Sequence, residues 1–210
     1  MATSSNKDQN MTKYLDVMVD LETTGTQPER TAIIEIAAVR FDFASGEIMP
    51  EMFNRCLMIP HGRFFDEETR NWWLKDKREI LQGIYARMER PEVVMQAFRD
   101  FLLRDVDTYN EKLRLWAKPS HFEYPFLESY FKEFEIGNPF HYRDTNDMNS
   151  WIRGRYWPQQ PPEFERNIPF EGDAHSALFD VLHQLKVLYA VRDHSTKHPS
   201  LAAAGDVVEA

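Results

Sequence analysis

The sequence has 210 residues, of which 42% are hydrophobic, and this suits one α/β domain with a sizeable core. Its formal net charge of −9 argues against a protein that coats duplex DNA in bulk, because such proteins are basic. A single cysteine, Cys56, excludes an internal disulfide framework. The sequence contains no apolar leader and no run of about 18 apolar residues, so we expect no membrane partner and a cytoplasmic location.

Both ends of the sequence are predicted to be disordered tails. Residues 1–12 are polar, and residues 195–210 are rich in small and polar side chains. Between them lies no linker and no internal repeat, so one domain is expected over residues 13–194.

Three strands are predicted at the start of this domain. The nearly all-apolar run at 13–22 is typical of a central strand that is covered on both faces. Further strands are expected at 31–43 and 49–60, with a turn at 44–47 between them. Together the three strands would form a β-meander.

Helices and single strands alternate over the rest of the chain. Acidic residues in the first turn of 66–84, and Pro91 at the start of 91–105, favour helices there. Strands are then expected at 112–117 and 139–147, and helices at 124–135, 147–156 and 175–193. This order predicts an α/β fold with a mixed central sheet and helices on its faces. Ligand sites in such sheets lie at strand ends.

Two carboxylates, Asp20 and Glu22, end the first predicted strand in the motif DLETTG. Side chains two residues apart on a strand point to the same face, so these two would lie side by side. Like charges at that separation are unfavourable unless a cation lies between them. For the pair alone, a helix cap with a solvated neighbour is the simpler alternative to a metal site.

His175 and Asp180 form a second motif, HSALFD, near the other end of the sequence. On ideal helix geometry the two side chains would lie roughly 140° apart around the axis. His175 is therefore expected at the entrance of the last helix or on the loop before it, leaning over a site that Asp180 reaches from the helix. For His175 alone, a surface histidine is the simpler alternative to a site residue.

With this order of elements, the two motifs make residues 14–192 resemble the DEDD superfamily of 3′-to-5′ exonucleases. The histidine matches the DEDDh branch, since the other branch would carry a tyrosine in place of Ser176. Segments 69–80, 121–131 and 138–151 resemble a subgroup that contains phage exonuclease A and bacterial Rv2179c-like exoribonucleases. The resemblance implies a ribonuclease-H-like mixed central β-sheet flanked by helices, and a phage or bacterial source.

The sequence departs from the family pattern at Glu123, where the second motif of the family carries an aspartate. Glutamate keeps the charge and the oxygen ligands but is one methylene longer. This change is compatible with an active site, with an altered metal preference or with a weakened site. Asp144 and Asp147 are the nearest alternative carboxylates, and we favour Glu123 as the site residue and Asp144 as a supporting residue.

The resemblance implies two divalent ions, Mg²⁺ or Mn²⁺, about 3.5–4 Å apart. Asp20 would bridge both ions, Glu22 and Asp180 would complete the first metal site, and Glu123 would hold the second ion through water. His175 would take the proton from the attacking water. The implied activity is 3′-to-5′ hydrolysis of single-stranded RNA or DNA, or of 3′ overhangs, to nucleoside 5′-monophosphates.

The resemblance also places Thr23, Thr24 and Gly25 against the terminal nucleotide of the substrate. His121 and Phe122 are candidates for the same pocket, with core packing as the alternative for Phe122.

Arg153 and Arg155 alternate with the rings of Trp151, Tyr156 and Trp157 in WIRGRYW. Cations beside stacking rings hold single strands without sequence readout. An ordinary solvent-facing segment is the alternative. The basic segment KDKRE near residue 75 is expected to be a solvated helix face, with a contact to the nucleic-acid strand as the alternative.

Other functions remain open from the sequence. Glu123 motivates a catalytically reduced relative that binds nucleic-acid ends or a protein partner. A ribonuclease-H-like nuclease that cuts internally is a further alternative, disfavoured by the HSALFD spacing. The expected partner is nucleic acid with a free 3′ end, and a homodimer is an expectation because many relatives form one.

Overall fold

The computed structural model describes residues 13–197 of the chain. In this part of the chain six strands form one mixed sheet: β1 (Lys13–Thr23), β2 (Ile33–Phe41), β3 (Ile48–Leu57), β4 (Met88–Glu89), β5 (Glu111–Ala117) and β6 (Thr145–Asp147). Their order across the sheet is β4-β3-β2-β1-β5-β6. The first three strands pair antiparallel as the predicted meander, whereas β5 runs parallel to β1 and β6 runs parallel to β5.

Seven α-helices accompany the sheet in the described region: α1 (Glu67–Asp76), α2 (Arg78–Ala86), α3 (Pro91–Leu103), α4 (Ser120–Glu133), α5 (Met148–Tyr156), α6 (Phe164–Asn167) and α7 (Ala177–Lys197). Helices α3 and α4 cover one face of the sheet, and α5 and α7 cover the other. The predicted α/β class with helices on both faces is confirmed. No helix among the described residues is long and apolar enough to cross a membrane.

The two faces of β1 pack against different layers, and this alternation places the site. Val17 and Val19 belong to the cluster with Phe98 of α3, whereas Met18 packs with Val181 of α7. Even-numbered side chains of β1 therefore point toward α7. Asp20 consequently faces the helix that carries the second motif.

The structure differs from the predicted elements in several places. The helix predicted at 66–84 is two helices, because the backbone leaves the helical region at Lys77 (φ −139°, ψ 31°). The strand predicted at 139–147 is a short 3₁₀ turn followed by β6, and α4 begins before 124. β4 and α6 were not predicted, since elements of two and four residues carry no periodicity.

The predicted tails lie mostly outside the described residues. Residues 1–12 and 198–210 are not described, whereas α7 continues to Lys197, inside the segment predicted as a tail.

Candidate active site

Three carboxylates meet where β1 ends and α7 begins. Each of Asp20, Glu22 and Asp180 offers an oxygen that lies within 4.8 Å of the others. Asp20 and Glu22 are buried on β1, and Asp180 is half-buried in the first turn of α7. Carboxylate oxygens are the kind of ligand that Mg²⁺ and Mn²⁺ prefer. The donor set therefore fits a divalent ion.

These carboxylates are protonated more readily than usual when no metal is present. Burial, followed by repulsion from Asp180, raises the pKa of Asp20 to about 8. Burial and repulsion from Asp20 raise the pKa of Glu22 well above its ordinary value. Burial also raises the pKa of Asp180. A bound cation would offset the repulsion between these carboxylates, because it favours the ionised form of each one.

Glu123, in the first turn of α4, is close enough to share this electrostatic environment. Its side chain is only 3% exposed, and its Oε2 accepts no hydrogen bond from the described residues. Burial and then repulsion from Asp20 raise its pKa to about 9. A buried oxygen without a partner fits a carboxylate whose partner is an ion or an ion-bound water.

Asp147, in contrast, already has partners for its oxygens. It accepts hydrogen bonds from the backbone of Ser120 at 3.0 Å and of Ser150 at 2.7 Å, at the first turns of α4 and α5. Asp144 accepts a bond from the hydroxyl of Tyr14 at 3.2 Å. Asp147 thus supports the starts of α4 and α5. The role of Asp144 as a supporting residue stays a prediction.

His175 lies on the loop immediately before α7, as the spacing argument expected. Its backbone is left-handed (φ 70°), and its N–H donates to Asp180 Oδ2 at 2.8 Å. The imidazole meets the ring of Trp72 edge to face, with 4.9 Å between centroids. Burial and the charge of Lys77 lower the pKa of His175, although Asp180 opposes them. The neutral imidazole at pH 7 is able to accept a proton.

Two supporting residues were missed from the sequence. Gln184, one turn after Asp180, donates from Nε2 to Asp20 Oδ1 at 2.7 Å. Lys118 follows directly after β5, the parallel neighbour of β1, and its positive charge opposes the rise in the pKa values of Asp20 and Asp180. The i, i+4 spacing on α7 could have indicated Gln184, whereas Lys118 depends on strand pairing that the sequence does not specify.

The last residues of the first motif, Thr23, Thr24 and Gly25, build the turn that ends β1. The hydroxyl of Thr24 donates to the carbonyl of Phe64 and accepts from the N–H of Ala32, and Thr24 is fully buried. A Cβ added at Gly25 would lie 2.6 Å from Thr31 Cγ2. These contacts explain a small residue at 25 and a hydroxyl at 24 structurally.

Thr23 joins the same turn to helix α1. Its hydroxyl donates to the carbonyl of Gly25 at 2.8 Å, and its own carbonyl accepts from Trp73 Nε1 at 3.2 Å. Nucleotide contacts by Thr23, Thr24 and Gly25 stay predictions.

The other predicted substrate residues lie on α4 and α5. His121 is exposed, whereas Phe122 is half-buried and packs against Phe126 with 5.1 Å between ring centroids. This contact supports the core-packing alternative for Phe122. Arg153 and Arg155 are both exposed on α5, where they are accessible to a phosphate backbone.

The rings in WIRGRYW are mostly turned inward. Trp151 packs edge-on against Phe43 and Trp116, and Tyr156 is buried. Trp157 is 78% exposed, so it is the ring of this segment that remains accessible for stacking. The predicted alternation of cations and stacking rings is therefore reduced to one ring.

A cavity of about 590 Å³ lies beside the loop that carries His175. Basic residues around the break between α1 and α2 line it, together with Asp173 and Ser176. Lys77 Nζ donates to the carbonyl of Ala174 at 3.4 Å and so tethers this loop. The segment KDKRE thus lines a cavity beside the loop that carries His175, and most of its side chains are exposed.

The chain matches the family model described as a 3′-5′ exoribonuclease Rv2179c-like domain over residues 15–192. No curated protein sequence matches it significantly. Among solved structures, the nuclease domain of 3′hExo, a DEDDh family member bound to rAMP, superposes with a TM-score of 0.61 at 18% identity, over 87% of this chain and 92% of that one.

Two further structures share the fold. Cell-death related nuclease 4 (CRN-4) has a TM-score of 0.65 at 16% identity, over 87% of this chain and 65% of that chain. The zinc-bound E. coli ExoI–ssDNA complex has a TM-score of 0.68 at 16% identity, over 90% of this chain and 42% of that chain. The chain thus spans less than two thirds of these two proteins.

At 16–18% identity, the structural superpositions establish the fold alone. The family of the chain is shown by the family-model match. The predicted ribonuclease-H-like exonuclease fold is confirmed by these structures. The resemblance to Rv2179c-like exoribonucleases is confirmed by a match that covers most of the sequence and both motifs. The chain belongs to the family of 3′-5′ exoribonuclease Rv2179c-like domains.

Proposed function

We propose that this protein is a divalent-metal-dependent 3′-to-5′ exonuclease that releases nucleoside 5′-monophosphates from single-stranded nucleic acid or 3′ overhangs. The observation that carries the proposal is the convergence of Asp20, Glu22 and Asp180 from two distant segments into one buried cluster. The unpartnered buried oxygen of Glu123 supports a second ligand position. Membership of an exoribonuclease domain family agrees with this chemistry.

Two Mg²⁺ or Mn²⁺ ions would supply an activated water and would stabilise the leaving 3′ oxygen. In this proposal Asp20, Glu22 and Asp180 would hold the first ion, and Asp20 and Glu123 would hold the second. Gln184 fixes the carboxylate of Asp20 through its 2.7 Å hydrogen bond.

His175 is the proposed general base. Its lowered pKa keeps the imidazole neutral near pH 7, so a ring nitrogen can accept the proton that the attacking water loses. The left-handed backbone and the ring of Trp72 fix its direction. Its N–H bonds to Asp180, so the proposed base and a proposed metal ligand are in direct contact.

The proposed substrate contacts follow the chain outward from the metal ligands. Thr23, Thr24 and Gly25 would contact the last nucleotide, and His121 and Phe122 would border it. Arg153 and Arg155 would bind phosphates further along the strand, where exposed cations suit the charged backbone. RNA is the first substrate to test because the family is described as exoribonucleolytic.

Three further expectations stay proposals. A cytoplasmic location and a homodimer are carried over from the sequence. The alternative of a catalytically reduced protein that binds nucleic-acid ends has one supporting observation, the glutamate at 123 with its raised pKa. Light scattering during gel filtration measures the oligomeric state, and the cleavage assay decides between catalysis and binding alone.

The test uses 5′-labelled RNA and DNA oligonucleotides of one sequence with Mg²⁺, Mn²⁺ or EDTA, beside the variant Asp20→Asn. We expect a ladder that shortens from the 3′ end and disappears with EDTA and with the variant. Fragments from internal cleavage would contradict the exonuclease proposal. Oligonucleotide binding without shortening under either metal would favour the end-binding alternative.

A further inference from the structure

Glu35 is a fully buried carboxylate beside the candidate site that the proposed chemistry leaves unused. It lies on β2 directly opposite Glu22 of β1 in the antiparallel register. Its negative charge raises the pKa values of Asp20 and Glu22. A buried charge that adds to an existing repulsion is unfavourable unless other contacts compensate it.

The contacts of Glu35 connect separate parts of the fold. One oxygen accepts from Arg87 Nη2 at 3.0 Å, at the end of α2. The other accepts the backbone N–H of Ala177, the first residue of α7, at 3.1 Å. The thiol of Cys56 on β3 lies 3.8 Å from the first oxygen. Each carboxylate oxygen of Glu35 is therefore used.

The bond to Ala177 joins β2, the neighbour of β1, to α7. His175 lies two residues before this bond and Asp180 three residues after it. The N–H groups in the first turn of a helix have no partner within the helix and attract a negative charge. Glu35 therefore fixes the end of α7 from which the base and the third carboxylate project.

We propose that Glu35 is a positioning residue, whose carboxylate is held by Arg87 and fixes the start of α7 beside the end of β1. The inference rests on the proposed exonuclease function, since it assigns Glu35 to that site. Glu35 itself contacts neither the substrate nor the reacting water in this proposal. Its effect reaches the reaction through His175 and Asp180.

The test compares Glu35→Met, Glu35→Gln and a matched control, Asp16→Asn. Methionine removes both acceptor oxygens at similar volume, whereas glutamine keeps one oxygen for Ala177. Asp16 is also buried and ion-paired, with Arg114 at 2.6 Å, but lies toward the opposite end of β1. Arg87→Met is a second variant, in which a half-exposed arginine is removed and the Glu35 carboxylate loses its cation.

Two readouts are measured. In the cleavage assay, kcat of Glu35→Met should fall by roughly 10–100-fold, as for groups that orient metal ligands, with KM unchanged. The kcat of Glu35→Gln and of Arg87→Met should fall less, and the kcat of Asp16→Asn should match that of the wild type. In hydrogen exchange, the amides of residues 173–180 should exchange faster in Glu35→Met and not in Asp16→Asn.

Unchanged exchange over residues 173–180 in Glu35→Met would overturn the inference, as would an equal loss of kcat in Asp16→Asn. If the wild type releases no mononucleotides, the proposed function fails. Hydrogen exchange then still decides whether Glu35 anchors α7, because it requires no activity.

Discussion

At the scale of single residues, the candidate site is a set of carboxylates that are unfavourably placed without a cation. Asp20 and Glu123 have ordinary pKa values of 3.8 and 4.5. Burial and repulsion from Asp180 raise the pKa of Asp20 to about 8, and burial and repulsion from Asp20 raise the pKa of Glu123 to about 9. The folded protein without metal therefore holds protons that the unfolded chain releases. Stability and metal binding are consequently linked to pH.

This linkage predicts how the stability of the metal-free protein depends on pH. The stabilisation by the protonated carboxyl groups is complete below about pH 4 and is lost as pH rises through about 8 to 9. In EDTA, the Tm of the wild type should therefore fall between pH 6 and pH 9 relative to Asp20→Asn/Glu123→Gln, and saturating Mn²⁺ should reverse the fall. A loss of 1 kcal/mol corresponds to roughly 2–4 °C.

Thermal unfolding at several pH values measures this difference. The double variant serves as the control because histidines and other groups titrate in both proteins. Parallel Tm curves for the two proteins in EDTA would contradict the predicted linkage.

The buried oxygen of Glu123 leads to a second prediction. Glu123→Gln should lower kcat by roughly 10–100-fold, because the amide cannot replace an ionised ligand. Glu123→Asp should retain more activity, since it keeps the charge. Glu128→Gln, an exposed position on the same helix, is the control and should leave kcat unchanged. Single-turnover cleavage measures the rates of the three variants. A Glu123→Gln enzyme as fast as the control would refute the proposal that Glu123 is a metal ligand.

Replacing His175 is expected to slow the chemical step without weakening metal binding. His175→Ala should reduce kcat by roughly 10²–10⁴-fold, the usual contribution of a general base, while Mn²⁺ affinity stays near that of the wild type. His61→Ala removes an exposed histidine and should have no effect. Cleavage rates and Mn²⁺ titrations measure the two quantities. Loss of metal binding in His175→Ala would instead make the histidine a structural residue.

Some residues of the site were predictable because their signal is local. Asp20 and Glu22 stand two apart at the end of an apolar strand, and His175 and Asp180 share one short motif. Glu35 gave no such signal, since a glutamate in a strand is ordinary until its burial and its partner on α7 are known. Contacts between distant segments follow from tertiary packing, which the linear pattern does not encode.

At the scale of elements, helices bring the remaining site residues to the carboxylates of β1. Helix α4 presents Glu123, α7 presents Asp180, and α1 supplies Trp72 next to His175. The break at Lys77 lets α1 and α2 pack separately, so that Lys77 reaches the carbonyl of Ala174. The long apolar strands and helices were predicted from the sequence. The break at Lys77 was not, because no proline or glycine marks it in the sequence.

Asp147 is the element-scale test, because it binds the first turns of both α4 and α5. Burial would raise its pKa, but the hydrogen bonds from Ser150 and Ser120 outweigh burial and lower it. Asp147→Ala should lower the free energy of unfolding by about 0.5–2 kcal/mol, as for lost helix caps. Asp147→Asn should lose less, because its amide oxygen still accepts one bond.

Urea unfolding measures these differences, with Asp144→Ala as the control. Among the hydrogen bonds of the described residues, the side chain of Asp144 contacts only the hydroxyl of Tyr14, so its removal should have little effect. Equal losses for the alanine variants at 144 and 147 would contradict the special role of Asp147.

At the scale of the whole molecule, the sheet order brings the site together. β1 lies between the antiparallel β2 and the parallel β5, so its end is bordered by Glu35 on one side and Lys118 on the other. The alternation along β1 directs its carboxylates toward α7. The fold class followed from the order of predicted elements, but the parallel pairing of β5 with β1 required the family resemblance or the structure.

The most direct measurement is a titration of the metal-free protein with Mn²⁺ by isothermal calorimetry at pH 8. The wild type should bind two ions, Glu123→Gln should bind one, and Asp20→Asn should bind neither with comparable affinity. The count tests the arrangement of ligands without depending on a substrate. A wild type that binds one ion, or binds ions equally well after Glu123→Gln, would contradict a two-metal site built from these carboxylates.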